Sequence, residues 1–165
     1  RPGLACTVMV ADCLPVLLTD LQGRAVAAAH AGWRGLAGGV LERTLEQFRA
    51  LAGMQQAQAA IDSEANEIVA WLGPCIGPQA FEVGLEVRAA FVAASAAAAS
   101  GFKPAKRSKW LADIYGLARQ RLAGQGVRRI FDGEWCTVQE ADRFFSYRRD
   151  GQSGRMASMI WLKDR

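Results

Sequence analysis

Pro15 stands inside the apolar run "LPVLLTD", and its position decides how the first thirty residues can fold. Within a helix, a proline removes one hydrogen bond and clashes with the preceding turn. The run is therefore predicted to be a strand. Small and β-branched residues from Leu4 to Val10 precede it, "LQGR" supplies a glycine turn, and "AVAAAH" follows. Short, largely buried strands joined by tight turns fit this pattern. His30 then falls near a strand end and faces the glycine-rich segment "AGWRG".

Further along, "GGVLERTLEQFRALAG" places Val40, Leu41, Leu45, Phe48 and Leu51 near a 3.6-residue spacing, with Glu and Arg opposite. This predicts an amphipathic helix of about 12 residues. Residues 54–65 read as an exposed loop or helical extension, and "EIVAWLGP" as a core strand stopped at Gly73-Pro74. The alanine-rich stretch "EVGLEVRAAFVAASAAAASGF" predicts a helix to about Ala99. "WLADIYGLARQRLAGQGV" predicts a second helix, stopped by Gly124 or Gly126, while "RRIFDGEWCT" and "MASMIWLK" read as strands. Strands gather toward both ends with helices between, and no βαβ unit carries a GxGxxG or Walker signature. The class expected is α+β in a single domain.

Composition excludes several functions. Half the 165 residues are hydrophobic, yet no apolar run approaches the roughly 18 residues a membrane span needs. The net charge of +4 lacks the dense basic stripe of a nucleic-acid surface, since only "RRDGQSGR" and "KRSK" are locally basic. Cys6, Cys13, Cys75 and Cys136 are widely spaced without a CxxC pair, which argues against a disulfide framework and for a reducing cytoplasm. The chain opens "RPGLAC" without an initiator Met, which raises the expectation of a further upstream segment.

The single histidine, His30, and Cys13 both end or punctuate strands. Thiolate and imidazole are good zinc ligands, and the same pair can act as nucleophile and base. A buried cysteine with a hydrogen-bonded core histidine fits the spacing as well. Cys75 in "GPCIGP" marks a rigid corner or a close approach to the main chain, and Cys136 reads as a buried thiol. Arg148, Arg149 and Arg155 in "SYRRDGQSGR" suit an anion such as phosphate, because guanidinium forks match its oxygens.

Taken in order, "ADCLPVLLTD", "AHAGWRG", "GPCIGPQAFEVG", "GEWCT", "FFSYRRDG" and "GRMASMIWL" resemble the laccase-domain, or YfiH-like, family from Pro2 to Leu162. The resemblance implies two mixed β-sheets with flanking helices, layered α/β/β/α, and a zinc pocket at one end. It places metal ligation on Cys13 and His30, with a third ligand from a histidine upstream of "RPGLA". It also implies that Arg149 is needed for activity.

Two activity labels accompany the family: multicopper polyphenol oxidase (laccase), and purine nucleoside phosphorylase with adenosine deaminase. A multicopper centre calls for many imidazoles, because copper(II) favours nitrogen ligands, and this chain has one histidine. One thiolate and two imidazoles would instead leave the fourth zinc position open, which is the catalytic pattern. The expectation is a zinc-dependent purine nucleoside phosphorylase acting on adenosine, inosine or 5′-methylthioadenosine, with adenosine deamination as a second activity. Its catalytic residues are expected to be Cys13, His30 and Arg149, and its substrate-binding residues Arg34, Arg148 and Trp33. Nucleoside and phosphate are the partners expected, with neither nucleic acid nor membrane. The rivals are a metal-free cysteine hydrolase using Cys13 and His30, and a non-catalytic scaffold.

Overall fold

In the computed structural model, residues 2–54 and 67–163 are described. The chain runs β1 (Ala5–Val10), β2 (Leu14–Asp20), β3 (Val26–Ala31), α1 (Trp33–Ala37), α2 (Val40–Leu51), β4 (Ile68–Leu72), β5 (Glu82–Val83) and α3 (Leu85–Ala94). A 3-10 helix (Ala96–Gly101) follows, then β6 (Phe102–Pro104), β7 (Trp110–Ala112), α4 (Ile114–Gly124), β8 (Arg129–Asp132), α5 (Tyr147–Asp150) and β9 (Met156–Trp161). The α+β expectation holds. The sheets among the described residues number three, ordered β1-β9, β3-β2-β4-β8 and β5-β7-β6, and only the four-stranded one is mixed, through the parallel pair β4/β8.

Strand β2 explains its own sequence. It lies between β3 and β4, antiparallel to both, so "LPVLL" runs apolar on both faces instead of alternating. Leu14, Val16 and Leu18 pair with Ala31, Ala29 and Ala27 of β3, and Val16 and Leu18 also with Leu72 and Ala70 of β4. These residues share one buried cluster with Leu41, Leu45 and Phe48 of α2 and Leu117 and Leu122 of α4. The small alanines of β3 are what let helix α2 approach. On the opposite face the β1/β9 ribbon contacts β3, and the Cys6 thiol donates to the Val26 carbonyl. Ribbon residues alternate in exposure along both strands, as expected for a half-covered layer.

Two expected helices are shorter than the sequence suggests. The alanine run breaks at Ser95, which is extended (φ −158°, ψ 122°), and continues as the 3-10 helix. At its end the 3-10 helix packs tightly on α4, since a Cβ at Gly101 would lie 2.8 Å from Leu117. "WLADIYG" does not begin a helix either: Trp110–Ala112 is strand β7, and α4 starts only after Asp113, whose carboxylate accepts from the Gly116 N–H at 2.9 Å. The expectation for residues 54–65 falls almost wholly outside the described residues. No helix among the described residues is long and apolar enough to cross a membrane.

Asp20, the second aspartate of the opening run, closes the β2–β3 turn. Its buried carboxylate accepts from the Arg24 N–H at 2.8 Å, from the Arg24 guanidinium and from the Ala25 N–H at 3.5 Å. Burial pushes this carboxyl up, but the Arg24 and Ala25 hydrogen bonds outweigh it and hold it below the usual carboxylate range. A depressed folded-state pKa gives stability that is present above the unfolded value near 3.9 and lost as pH falls through the folded one. Asp20→Ala, which orphans those donors, is expected to cost about 1–3 kcal/mol at neutral pH in chemical unfolding. The gap to wild type should close as pH drops below about 4; a constant gap would mean that packing, not the ionised carboxylate, is responsible.

Candidate functional site

The β2–β3 ladder builds the site. Pro15 pairs with His30 and Leu14 with Ala31, so the same frame sets Cys13 opposite Gly32 and diagonal to His30 on one face of the sheet. A Cβ built on Gly32 would lie 2.8 Å from the Cys13 Sγ and 3.7 Å from the His30 Cδ2. Thiol and imidazole therefore converge on a notch that only glycine leaves open. His30 is exposed there and Cys13 half-buried.

Asp12 fixes this corner, and sequence reasoning passed over it. Its backbone is left-handed (φ 84°), a conformation aspartate tolerates better than most residues. Its carboxylate accepts from the Thr137 hydroxyl at 2.6 Å and from the Arg148 N–H at 2.7 Å, and its carbonyl accepts from the Ile76 N–H at 3.0 Å. Burial raises the Cys13 thiol pKa, the Asp12 carboxylate adds to the rise, and the Arg155 guanidinium opposes it. The free thiol is thus held protonated.

Cys75 and Cys136 belong to the framework behind the notch. Cys75 is fully buried, and burial pushes its thiol well above the ordinary range. Its N–H donates to the Tyr115 hydroxyl at 3.0 Å, and that hydroxyl reaches the carbonyls of Gly73 and Trp135, both at 3.1 Å. The Cys136 sulfur accepts from the Gly77 N–H at 3.2 Å. No group of three metal-ligating side chains occurs among the described residues, so neither cysteine completes a set with Cys13 and His30 there.

The arginines divide sharply. Arg149 donates through Nε and Nη2 to Asp150, both at 2.8 Å, through Nη1 to the carbonyls of Thr137 and Val138, and through Nη2 to that of Phe144. A guanidinium has five N–H donors, and all are engaged here. This side chain ties the 137–150 segment together, and in this arrangement no N–H is left over for the phosphate expected of it. Arg34, Arg148 and Trp33 do come together, in a cleft of about 290 Å³ also lined by Phe81, Glu82, Glu86 and Lys109. Arg34 lies 4.4 Å from the Trp33 ring centroid, and Arg148 donates to the Glu82 carbonyl at 3.0 Å. Lys109, from the basic "KRSK", is the lining cation that sequence reasoning left unplaced.

Over residues 1–163 the chain matches the family described as multi-copper polyphenol oxidoreductase laccase. It is 56% identical over 161 residues to the purine nucleoside phosphorylase YfiH of Escherichia coli, covering 98% of this chain and 60% of that protein. With a purine nucleoside phosphorylase of Pseudomonas aeruginosa it shares 52% identity over 164 residues, 99% of this chain and 62% of the relative. A solved Neisseria meningitidis protein of the DUF152 family superimposes with a TM-score of 0.85 at 50% identity, covering 97% of this chain and 61% of the other. YlmD of Geobacillus stearothermophilus gives 0.82 at 26% identity, covering 99% and 59%. The chain thus spans about three fifths of the length of these relatives.

The donor count at Arg149 generates a prediction. Arg149→Ala should lower the melting temperature, because three main-chain carbonyls lose their donor. Arg149→Lys should lower it too, since one ammonium cannot span them. Differential scanning calorimetry decides this, and melting temperatures unchanged from wild type would return Arg149 to a ligand-binding role.

Proposed function

The chain belongs to the multi-copper polyphenol oxidoreductase laccase family, and we propose that it takes part in purine nucleoside phosphorolysis with zinc held by Cys13 and His30. The observation that carries this reading is the convergence of thiol and imidazole on the Gly32 notch. The names of relatives 52% and 56% identical support the reaction class. Adenosine, inosine and 5′-methylthioadenosine are the substrates proposed.

A thiol and an imidazole are a donor set suited to zinc. When bound, the ion supplies Lewis-acid stabilisation of the negative charge that builds on the departing purine. The chain's own residues do the rest. In the reaction a phosphate oxygen bonds to ribose C1′ and the C1′–N9 bond breaks, its electron pair passing to the purine, which takes up a proton. Positive charge builds on the sugar meanwhile, so a phosphate dianion held beside C1′ lowers the barrier by placement and by charge. Arg34 and Arg148 supply the guanidinium groups for that placement, and Asp12 fixes Arg148 through its N–H. Trp33, packed in part against the core, lies against Arg34 and lines the cleft beside it.

The metal-free dyad fits less well. A cysteine nucleophile needs surroundings that lower its pKa, whereas burial and Asp12 raise that of Cys13.

Two measurements test the proposal. Purine release from inosine or adenosine should require added phosphate and yield ribose 1-phosphate; equal rates in phosphate-free buffer would sink it. In calorimetric zinc titration Cys13→Ala should abolish binding. Gly32→Ala, whose methyl displaces the thiol, should weaken it about 10–100-fold, as losses of supporting groups do at metal sites. A histidine added upstream of Pro2, as the family resemblance implies, should tighten zinc; equal affinity in Cys13→Ala and wild type would refute ligation by that thiol.

A further inference from the structure

The cleft beside the notch holds cations that the fold does not use. Among the described residues, the side chains of Arg34 and Lys109 make no hydrogen bond or ion pair; Arg34 has only its contact with the Trp33 ring. Arg148 spends Nη1 on the Glu82 carbonyl and lies 5.6 Å from the Phe81 ring centroid, which leaves most of its fork free. This is the reverse of Arg149, whose donors are exhausted. Three segments distant in sequence, at residues 33–34, 109 and 148, thus bring unspent donors to one place.

The carboxylates of the cleft do not cancel this charge. Glu86 folds back over Gly84 at the start of α3, where the helix end answers its charge. Glu82 stands at the rim as an acceptor suited to a sugar hydroxyl. A volume of about 290 Å³, open to solvent, lies at the lower end for ligand pockets and is enough for a phosphate and a pentose. The cleft is also joined to the notch at two points. Trp33 follows Gly32 directly, and the Arg148 N–H is bonded to Asp12, the neighbour of Cys13.

We propose that this cleft is a binding site for phosphate and for the phosphorylated pentose formed from it, with Arg34, Lys109 and Arg148 as the anion-binding residues. The assignment to a reaction rests on the phosphorolysis reading; the assignment of the anion site does not. In that arrangement the purine lies over the Cys13/His30 notch and the phosphate end of the ribose lies in the cleft. Lys109, on the β6–β7 connection, brings a third cation to the same cleft.

Inorganic phosphate and ribose 1-phosphate, titrated separately into the full chain by calorimetry at constant ionic strength, test the site. Saturable equimolar binding is expected, tighter for ribose 1-phosphate. Lys109→Ala and Arg34→Ala should each weaken it about tenfold, as expected when one charge-assisted partner is lost. Lys109→Arg should restore binding, and Lys106→Ala, in the same basic run but outside the cleft, should leave it unchanged. Non-saturable binding, or equal loss in Lys106→Ala and Lys109→Ala, would overturn the site in favour of general attraction by a basic surface. Phosphate bound in the cleft while nucleoside and phosphate give no ribose 1-phosphate would refute the phosphorolysis reading and leave the anion site standing. Phosphorolysis at the wild-type rate in Lys109→Ala and Arg34→Ala would do the opposite.

Discussion

The geometry of the whole site hangs on the Asp12 carboxylate. A non-glycine residue held at φ 84° costs of order 1–3 kcal/mol, and such strain persists only where surrounding contacts dictate it. Here they do. The carboxylate takes the Thr137 hydroxyl and the Arg148 N–H while the carbonyl takes the Ile76 N–H, so the β1–β2 turn, the Gly-Pro corner, the segment after β8 and helix α5 meet at one residue. Cys13 is next in the chain, so the sulfur inherits its position from that junction. The same junction places Arg148, whose side chain lines the cleft.

Local signals made much of the fold legible. Pro15 and the glycine turn forced strands β2 and β3, and the spacing of Leu41, Leu45 and Phe48 revealed α2 to its observed length of 12 residues. The alanine run failed because alanine favours a helix but carries no period to show where it stops. Its break at Ser95 and the tight fit of Gly101 against Leu117 are tertiary facts. Trp110–Ala112 was hidden for a different reason: its apolar residues continue the period of α4, and only the Asp113 cap separates the two.

For the site, the sequence marked Arg148 and Arg149 alike, and the folded chain gives them different partners. Arg148 and Arg149 are adjacent in one short helix, so their side chains leave it about 100° apart. One turns inward to satisfy carbonyls and the other lines a cleft; nothing local distinguishes them. The distinction lies in acceptors contributed by Thr137, Val138 and Phe144, which only the folded chain supplies. Lys109 was illegible for the same reason, because a lysine in a basic run looks solvated until β5, α1 and α5 are seen around it.

The electrostatics of the notch disfavour a free thiolate. Burial and the Asp12 carboxylate both penalise a negative sulfur, with Arg155 only partly opposing them. The zinc proposed for this notch would change that balance: a coordinating thiol is deprotonated by the ion itself, and the exposed His30 ring would supply the second donor. The groups that make Cys13 a poor free nucleophile leave the proposed ligand role as the one that suits it. Across the shared Asp12 link the balance changes sign, since the cleft of Arg34, Lys109 and Arg148 is short of negative charge. Under the proposed phosphorolysis, the purine would face the notch and the phosphate the cleft, so that each end of the reacting pair would meet a cation.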